Sequence, residues 1–235
     1  MPADERETVD GCLRQIDFLA VEIAILERAI AEHALRCDAT RRLMTVPGVT
    51  LMTATTFMAA VGDIRRFPQP RKLVSYLGLD PKVRQSGIGA ARHGRISKQG
   101  AAQVRQMLAE AAFVATSTAG PMRAFYERVR ARRGSPIAII AVARKLAVLF
   151  WHLLIREQDY AFQRPSLTRK KLRGLELRGG AERHPGRRDL PTKNSYSRRA
   201  ERERERELSA QAELAYRRLV ADWSATARTK AISTA

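Results

Sequence analysis

The residues best suited to chemistry lie between Leu79 and Gly100, in the run L-D-P-K-V-R-Q-S-G-I-G-A-A-R-H-G-R-I-S-K-Q-G. Ser86 stands in its glycine-rich part, with Lys82, Arg84, Arg92, His93, Arg95 and Lys98 close in sequence. A hydroxyl among fixed cations is suited to attack on a nucleic-acid phosphate. The oxygen is the nucleophile, the cations stabilise charge building on the phosphate oxygens, and glycines such as Gly87 let backbone approach closely. His93 is suited to moving a proton near neutral pH. The same run also reads as a basic loop that touches a phosphate without reacting, and a motif this short leaves both readings open. Ser97 has two readings as well, nucleophile or N-cap, and it stands where the N-cap of the following helix is expected.

The elements that must hold this run read as helices. Asp4 to Asp38 has no proline, and Ile16, Leu19, Ile23, Leu26, Ile30, His33 and Cys37 recur at spacings of three and four. That is a heptad seam, fit either for packing on its own domain or for pairing with a second copy through residues 13–37. Pro47-Gly48 breaks the chain before an apolar helix from about Thr50 to Val61, with Gly62 as its cap. The V-P-G-V turn resembles a helix-hairpin-helix turn, whose backbone amides hold a DNA phosphate without reading bases. Thr50 replaces the usual second glycine, and a plain helix connection fits as well. Arg71 to Leu77 predicts a short helix capped by Gly78, and Lys82 to Ile96 an irregular hairpin. Helices follow from Ser97 to Thr116, from Met122 to Arg133, and from Ser135-Pro136 to about Glu157.

The helix from Met122 carries Arg123, Arg128, Arg130, Arg132 and Arg133 beside Phe125 and Tyr126, as a solvated basic face or a phosphate-tracking one. The helix after it is apolar nearly all round. Arg144 and Lys145 at its centre argue for a core helix and against a membrane span, at about 3 kcal/mol each in mid-bilayer. They are expected to snorkel to the surface, or to meet a phosphate at a cleft. Arg164 to Arg199 is rich in Arg, Lys, Gly and Pro and predicts disorder. Glu201 to Trp223 reads as a charged helix with a thin stripe of Leu208, Leu214, Leu219 and Trp223. The expected fold is mainly α, with a coiled-coil segment at 1–40, a compact helical domain at 41–157 and a basic, disordered tail at 158–235.

The 235 residues carry a net charge of +19 and a sequence pI near 11.1, which point to a polyanionic partner. The charge is uneven: −5 over Met1–Thr40, +15 over Arg41–Ile155 and +9 over the rest. The excess therefore lies mainly in the segment that reads as folded, as a binding surface requires. Cys12 and Cys37 are far apart, with no C-x-x-C and no paired histidines, which argues against a structural zinc site or disulfide framework and fits a reducing cytoplasm. The acidic start does not read as a signal peptide.

Several motifs in order resemble the C-terminal transposase domain of the Piv/MooV-type DEDD transposases, the insertion-sequence family 110, described as bridge-RNA-guided recombinases. They are T-V-P-G-V at Thr45–Val49, G-D-I-R-R-F at Gly62–Phe67, R-K-L-V-S-Y-L-G-L at Arg71–Leu79, Q-S-G at Gln85–Gly87, G-R-I-S-K-Q-G at Gly94–Gly100, and A-R-K-L-A at Ala143–Ala147. The resemblance covers about half of the chain. It implies a DNA recombinase whose serine nucleophile corresponds to Ser86, with Ser97 in reserve. Pro47, Gly48, Lys82, Arg84, Gly87, Arg92, His93, Arg95 and Lys98 are the expected DNA contacts. Such proteins join this domain to a coiled coil and to an N-terminal RuvC-like domain whose four carboxylates bind divalent metal. No such set is apparent here: the acids of the core are Asp63, Asp80, Glu110 and Glu127. No cofactor is expected in this chain, and Mg²⁺ only with a RuvC-like partner domain. The chain thus reads as a truncated, split or decayed transposase, nucleoid-associated in a bacterial cytoplasm. Its expected partners are DNA, a structured guide RNA and a second copy, with no membrane. The alternative is a nucleic-acid-binding module without chemistry.

Overall fold

Most of the start and stop signals along the chain are used where they are written. In a computed structural model, which describes residues 3–85, 92–182 and 193–233, the chain is mainly α, as its patterning predicts. The first helix, α1, runs Ala3–Arg36, and α2 runs Asp38–Met44. The Pro47-Gly48 turn follows, with Gly48 at φ +84°. Helix α3, Leu51–Val61, is capped by Thr50, whose hydroxyl accepts from the Thr53 N–H at 3.3 Å. Gly62, at φ +63°, ends it in a backbone conformation that favours glycine. A 3₁₀ turn, Ile64–Arg66, leads to α4, Pro70–Tyr76. Two short antiparallel strands, β1 Pro81–Arg84 and β2 Arg92–Ile96, form the irregular hairpin. Then come α5 Ala102–Ser117, α6 Pro121–Arg133 and α7 Ser135–Ile155.

Helix α7 is the centre. It packs against α5, α6, α4 and α2, burying Ala138, Val142, Ala143, Leu146, Ala147 and Phe150 completely. Phe150 meets Phe57 of α3 edge to face, with ring centroids 5.0 Å apart. Each such buried ring contributes about 1.5–3 kcal/mol of transfer free energy. By length and composition α7 would cross a membrane, yet here it is the core of the bundle. Arg144 reaches the surface to pair with Asp80, and the Lys145 ammonium lies 4.5 Å from the Phe125 ring centroid.

Three expectations need correcting. Ser97 does not cap a helix: α5 begins at Ala102, and the Ser97 amide instead donates to the Asp80 carbonyl at 2.8 Å. Ser135 does start α7, but its hydroxyl bonds the Tyr126 hydroxyl at 2.8 Å and caps nothing. The predicted disorder from Arg164 fails over Pro165–Arg178, which is α8, packed on α1 and α2. Sparse apolar content is enough there because Leu175 is buried and Lys171 donates to the carbonyls of Met44 and Val46, at 2.7 and 2.8 Å.

The charged helix also exists, as α9, Lys193–Ser233, but its leucine stripe does not dock it. Leu208, Leu214, Leu219 and Trp223 are exposed. Two buried carboxylates dock it instead. Glu205 accepts from the Ser166 N–H at 2.7 Å, at the start of α8. Glu213 accepts from the Gly120 N–H at 3.1 Å, at the start of α6, and from Arg123 and Arg217. Each carboxylate satisfies donors that a helix N-terminus otherwise leaves unpaired. Helix α1 touches the body only through its last turns, where Ala31 and Ala34 are buried; Ile16, Leu19, Ile23 and Leu26 of its seam are exposed.

Candidate nucleic-acid interface

The β1–β2 ribbon carries most of the predicted contacts. Its register pairs Pro81 with Ile96, Val83 with His93 and Arg84 with Arg92. Between the first two pairs β2 holds one residue more than β1, an irregularity opposite Lys82 of the kind that adds twist. Lys82, Arg95 and Lys98 are exposed, and so is Val83. For Arg84, Arg92 and His93 the register alone places the backbone. Ser86 and Gly87 lie outside the described residues, in the segment joining the strands.

The base of the ribbon is locked to the helical body. The chain enters through Gly78, at φ +68°, and leaves through Gly100, at φ +93°. A Cβ on Gly78 would lie 1.9 Å from the Gln99 carbonyl oxygen, and one on Gly100 2.0 Å from that of Tyr76, so only glycine lets these segments touch. The Lys98 amide donates to the Gly78 carbonyl at 3.1 Å, with Lys98 itself at φ +57°, a conformation costly for a side-chain-bearing residue. One Nη1 of Arg105, from the first turn of α5, donates to the carbonyls of Leu77, Gln99 and Gly100 at 3.1, 3.4 and 3.1 Å. It thereby ties the entry of the ribbon to its exit. The Asp80 carboxylate takes a third anchor, accepting from Ser75 and pairing with Arg144 of α7 at 3.1 Å.

Ser97 therefore sits at the base of the ribbon, with its amide engaged, while Ser86 belongs to the segment beyond Gln85. Pro47 and Gly48 are not brought to the ribbon. A Cβ on Gly48 would lie 2.4 Å from the Ala111 carbonyl oxygen, so the turn seats against α5, roughly 10–15 Å along that helix from the Arg105 clamp. Local patterns gave no sign of Arg105, Ser75 or Arg144 as anchors, because their partners come from other elements.

The acids of the core are each engaged separately. Asp63 accepts from the Arg65 N–H, Asp80 holds Arg144, Glu110 accepts from Gln106 and Glu127 pairs with Arg130. Among the described residues no three His, Cys, Asp or Glu side chains converge as metal ligands, so this donor set does not fit a divalent ion. Of the buried ionisable groups, Glu213 is pushed up by burial but held below its usual value overall by the Gly120 amide and by Arg217 and Arg123. Burial lowers Lys171 from 10.5 to about 8.

Fold and ribbon together define a basic helical domain built to present a cation-rich hairpin from a rigid body. Residues 40–127 match the Transposase IS116/IS110/IS902 family, and the chain carries a domain of that family there. It is similar to a protein of Pseudomonas aeruginosa described as a family 20 transposase, 32% identical over 165 residues, 68% of this chain and 48% of that one. It is also similar to the transposase for insertion sequence element IS1111A of Coxiella burnetii, 29% identical over 63% of this chain and 43% of the relative. A third relative is the pilin gene-inverting protein of Moraxella bovis, 28% identical over 50% of this chain and 37% of that one. The chain spans less than half the length of these relatives.

Proposed function

We propose that this chain acts in DNA transposition or site-specific recombination, as the domain that supplies a serine nucleophile. The observation that carries the reading is a rigidly anchored basic ribbon, inside the family-matching segment, whose strands bracket Gln85-Ser86-Gly87. In the reaction the Ser86 oxygen bonds to phosphorus while the bond from phosphorus to one deoxyribose oxygen breaks. The serine proton ends on that leaving oxygen, and His93 is the ribbon's group suited to carry it near neutral pH. Lys82, Arg84, Arg92, Arg95 and Lys98 stabilise the phosphate charge. Ser97, tied by its amide into the base, suits a structural role better than attack. Any divalent metal belongs to carboxylates of another domain, since the acids here are engaged elsewhere. The exposed seam of α1, from Ile16 to Leu26, suits pairing with a second copy.

The test is covalent capture. The chain is mixed with supercoiled and nicked DNA and Mg²⁺, with and without a full-length family member, and then denatured. A protein–DNA adduct absent from Ser86→Ala supports the reading. DNA binding with no adduct in any mixture leaves a binding module without chemistry. Persistence of the adduct in Ser86→Ala and its loss in Ser97→Ala would move the nucleophile to Ser97.

A further inference from the structure

Away from the ribbon, the corner where the 3₁₀ turn meets α4 collects Arg65, Arg66, Arg71 and Lys72, all exposed. Arg66 is the centre of it. Its guanidinium carbon lies 4.8 Å from the Phe67 ring centroid and 4.6 Å from that of Tyr76. Those rings are fixed: the Tyr76 hydroxyl donates to the Ala60 carbonyl at 3.0 Å, and the Phe67 carbonyl accepts from the Trp151 indole at 2.9 Å. The Arg66 guanidinium is thus held against two aromatic side chains at an exposed corner.

The charge of this corner is poorly compensated. Two carboxylates face it. Asp63 is spent on the Arg65 backbone N–H at 2.9 Å, and Glu157 lies 3.7 Å from the Arg65 guanidinium. Among the described residues Arg66, Arg71 and Lys72 have no carboxylate partner. Holding an unpaired planar cation in one orientation is of little use to stability, but it prepares a bidentate contact with a phosphate.

We infer that this corner is a second contact for duplex DNA, made to the phosphate backbone without reading sequence. The inference rests on DNA being the partner of the ribbon. From Arg71 to the ribbon entry at Gly78 is about 10 Å along α4. Phosphates follow one another along a strand of the duplex at shorter intervals than this, so one duplex is long enough to meet both the ribbon and this corner.

The test measures affinity of the full chain for a fluorescent duplex as a function of salt, using several unrelated sequences and one RNA hairpin. Each lost phosphate contact lowers the slope of log affinity against log salt by about 0.9. Arg66→Gln/Arg71→Gln/Lys72→Gln should lower it by roughly 2–3 and weaken binding about tenfold or more near 0.1 M salt, equally for all DNA sequences. Arg71→Gln/Lys72→Gln changes only exposed residues without ion-pair partners, so it guards against misfolding and should lower the slope by about two. Arg66→Lys keeps the charge but loses the plane, and should fall between parent and Arg66→Gln. A ribbon variant, Lys82→Gln/Arg95→Gln, is run beside them. If it weakens DNA binding while the corner variants leave slope and affinity unchanged, the corner is wrong and the ribbon reading stands. A loss confined to the RNA hairpin also overturns the corner as a DNA contact. If the parent binds no DNA, both fall.

Discussion

Arg105 should be the residue whose loss most selectively loosens the ribbon. Its one Nη1 serves three carbonyls, of Leu77, Gln99 and Gly100, and so joins the two ends of the hairpin across the body. Leu77 is buried, so its carbonyl has little access to water once the guanidinium goes, whereas Gln99 and Gly100 are exposed and can be rehydrated. Of the three acceptors, therefore, only one is left with a full penalty. A charged donor to a buried carbonyl is worth about 1.5–3 kcal/mol, which sets the expected loss near 2 kcal/mol. Arg105→Met is the right substitution, because it keeps the aliphatic stem and removes only the donors. For a body of this size the thermal midpoint should fall by roughly 4–8 °C. Amide exchange supplies the local readout: the Ser97 and Lys98 N–H groups, bonded to Asp80 and Gly78, should exchange faster than amides of α7. Covalent capture of DNA should drop further than DNA affinity, since the cations remain while their carrier shifts. A midpoint within about 1 °C of the parent, with Ser97 and Lys98 as protected as before, would refute the clamp.

Gly100→Ala should cost about 3 kcal/mol or more, whereas Gly62→Ala, with positive φ but nothing within 4 Å of its Cβ, should cost only about 1–2 kcal/mol; urea midpoints compare them. Lys171 is charged more readily in the unfolded chain than in the folded one, so its burial costs stability below pH 8, and that cost is lifted as pH rises from about 8 towards 10.5. The parent should therefore gain up to about 2 kcal/mol on Lys171→Met between pH 8 and about 9.5, and an unchanging difference would contradict this. Stopping there avoids Tyr160, whose buried hydroxyl is pushed up to about 12 and costs stability above its ordinary 10.0. Glu213→Gln should destabilise by about 1–2 kcal/mol near neutral pH. Because the Glu213 carboxyl is held below its usual 4.5, this contribution is present above that value and is lost as pH falls through the lowered one, so parent and variant should converge in acid. Ile23→Asp, at a seam position 55% exposed in the single chain, should abolish self-association in light scattering while leaving the melt of the monomer unchanged.

By itself the sequence determined most of the helices and the place of the hairpin. Pro47-Gly48, Gly62, Gly78 and Gly120-Pro121 punctuate the chain strongly enough to be read directly, because proline and positive-φ glycine restrict the backbone locally. The apolar run of α7 likewise identified the core helix, since burial all round leaves no polar face. The ribbon cations were legible as a charge cluster. What the tertiary structure alone decided is how these parts hold one another. Ser97 became a base residue because Asp80, seventeen positions earlier, offered its carbonyl, and Arg105 became a clamp because Leu77 came within reach 28 residues away. Helix α8 was misread, and the docking of α9 was not legible, because their attachment is polar: Lys171, Glu205 and Glu213 dock them by satisfying free carbonyls and amides at the ends of other helices. A hydrophobic pattern cannot report such contacts, since an orphaned donor at a helix end acquires its partner only when the elements have packed.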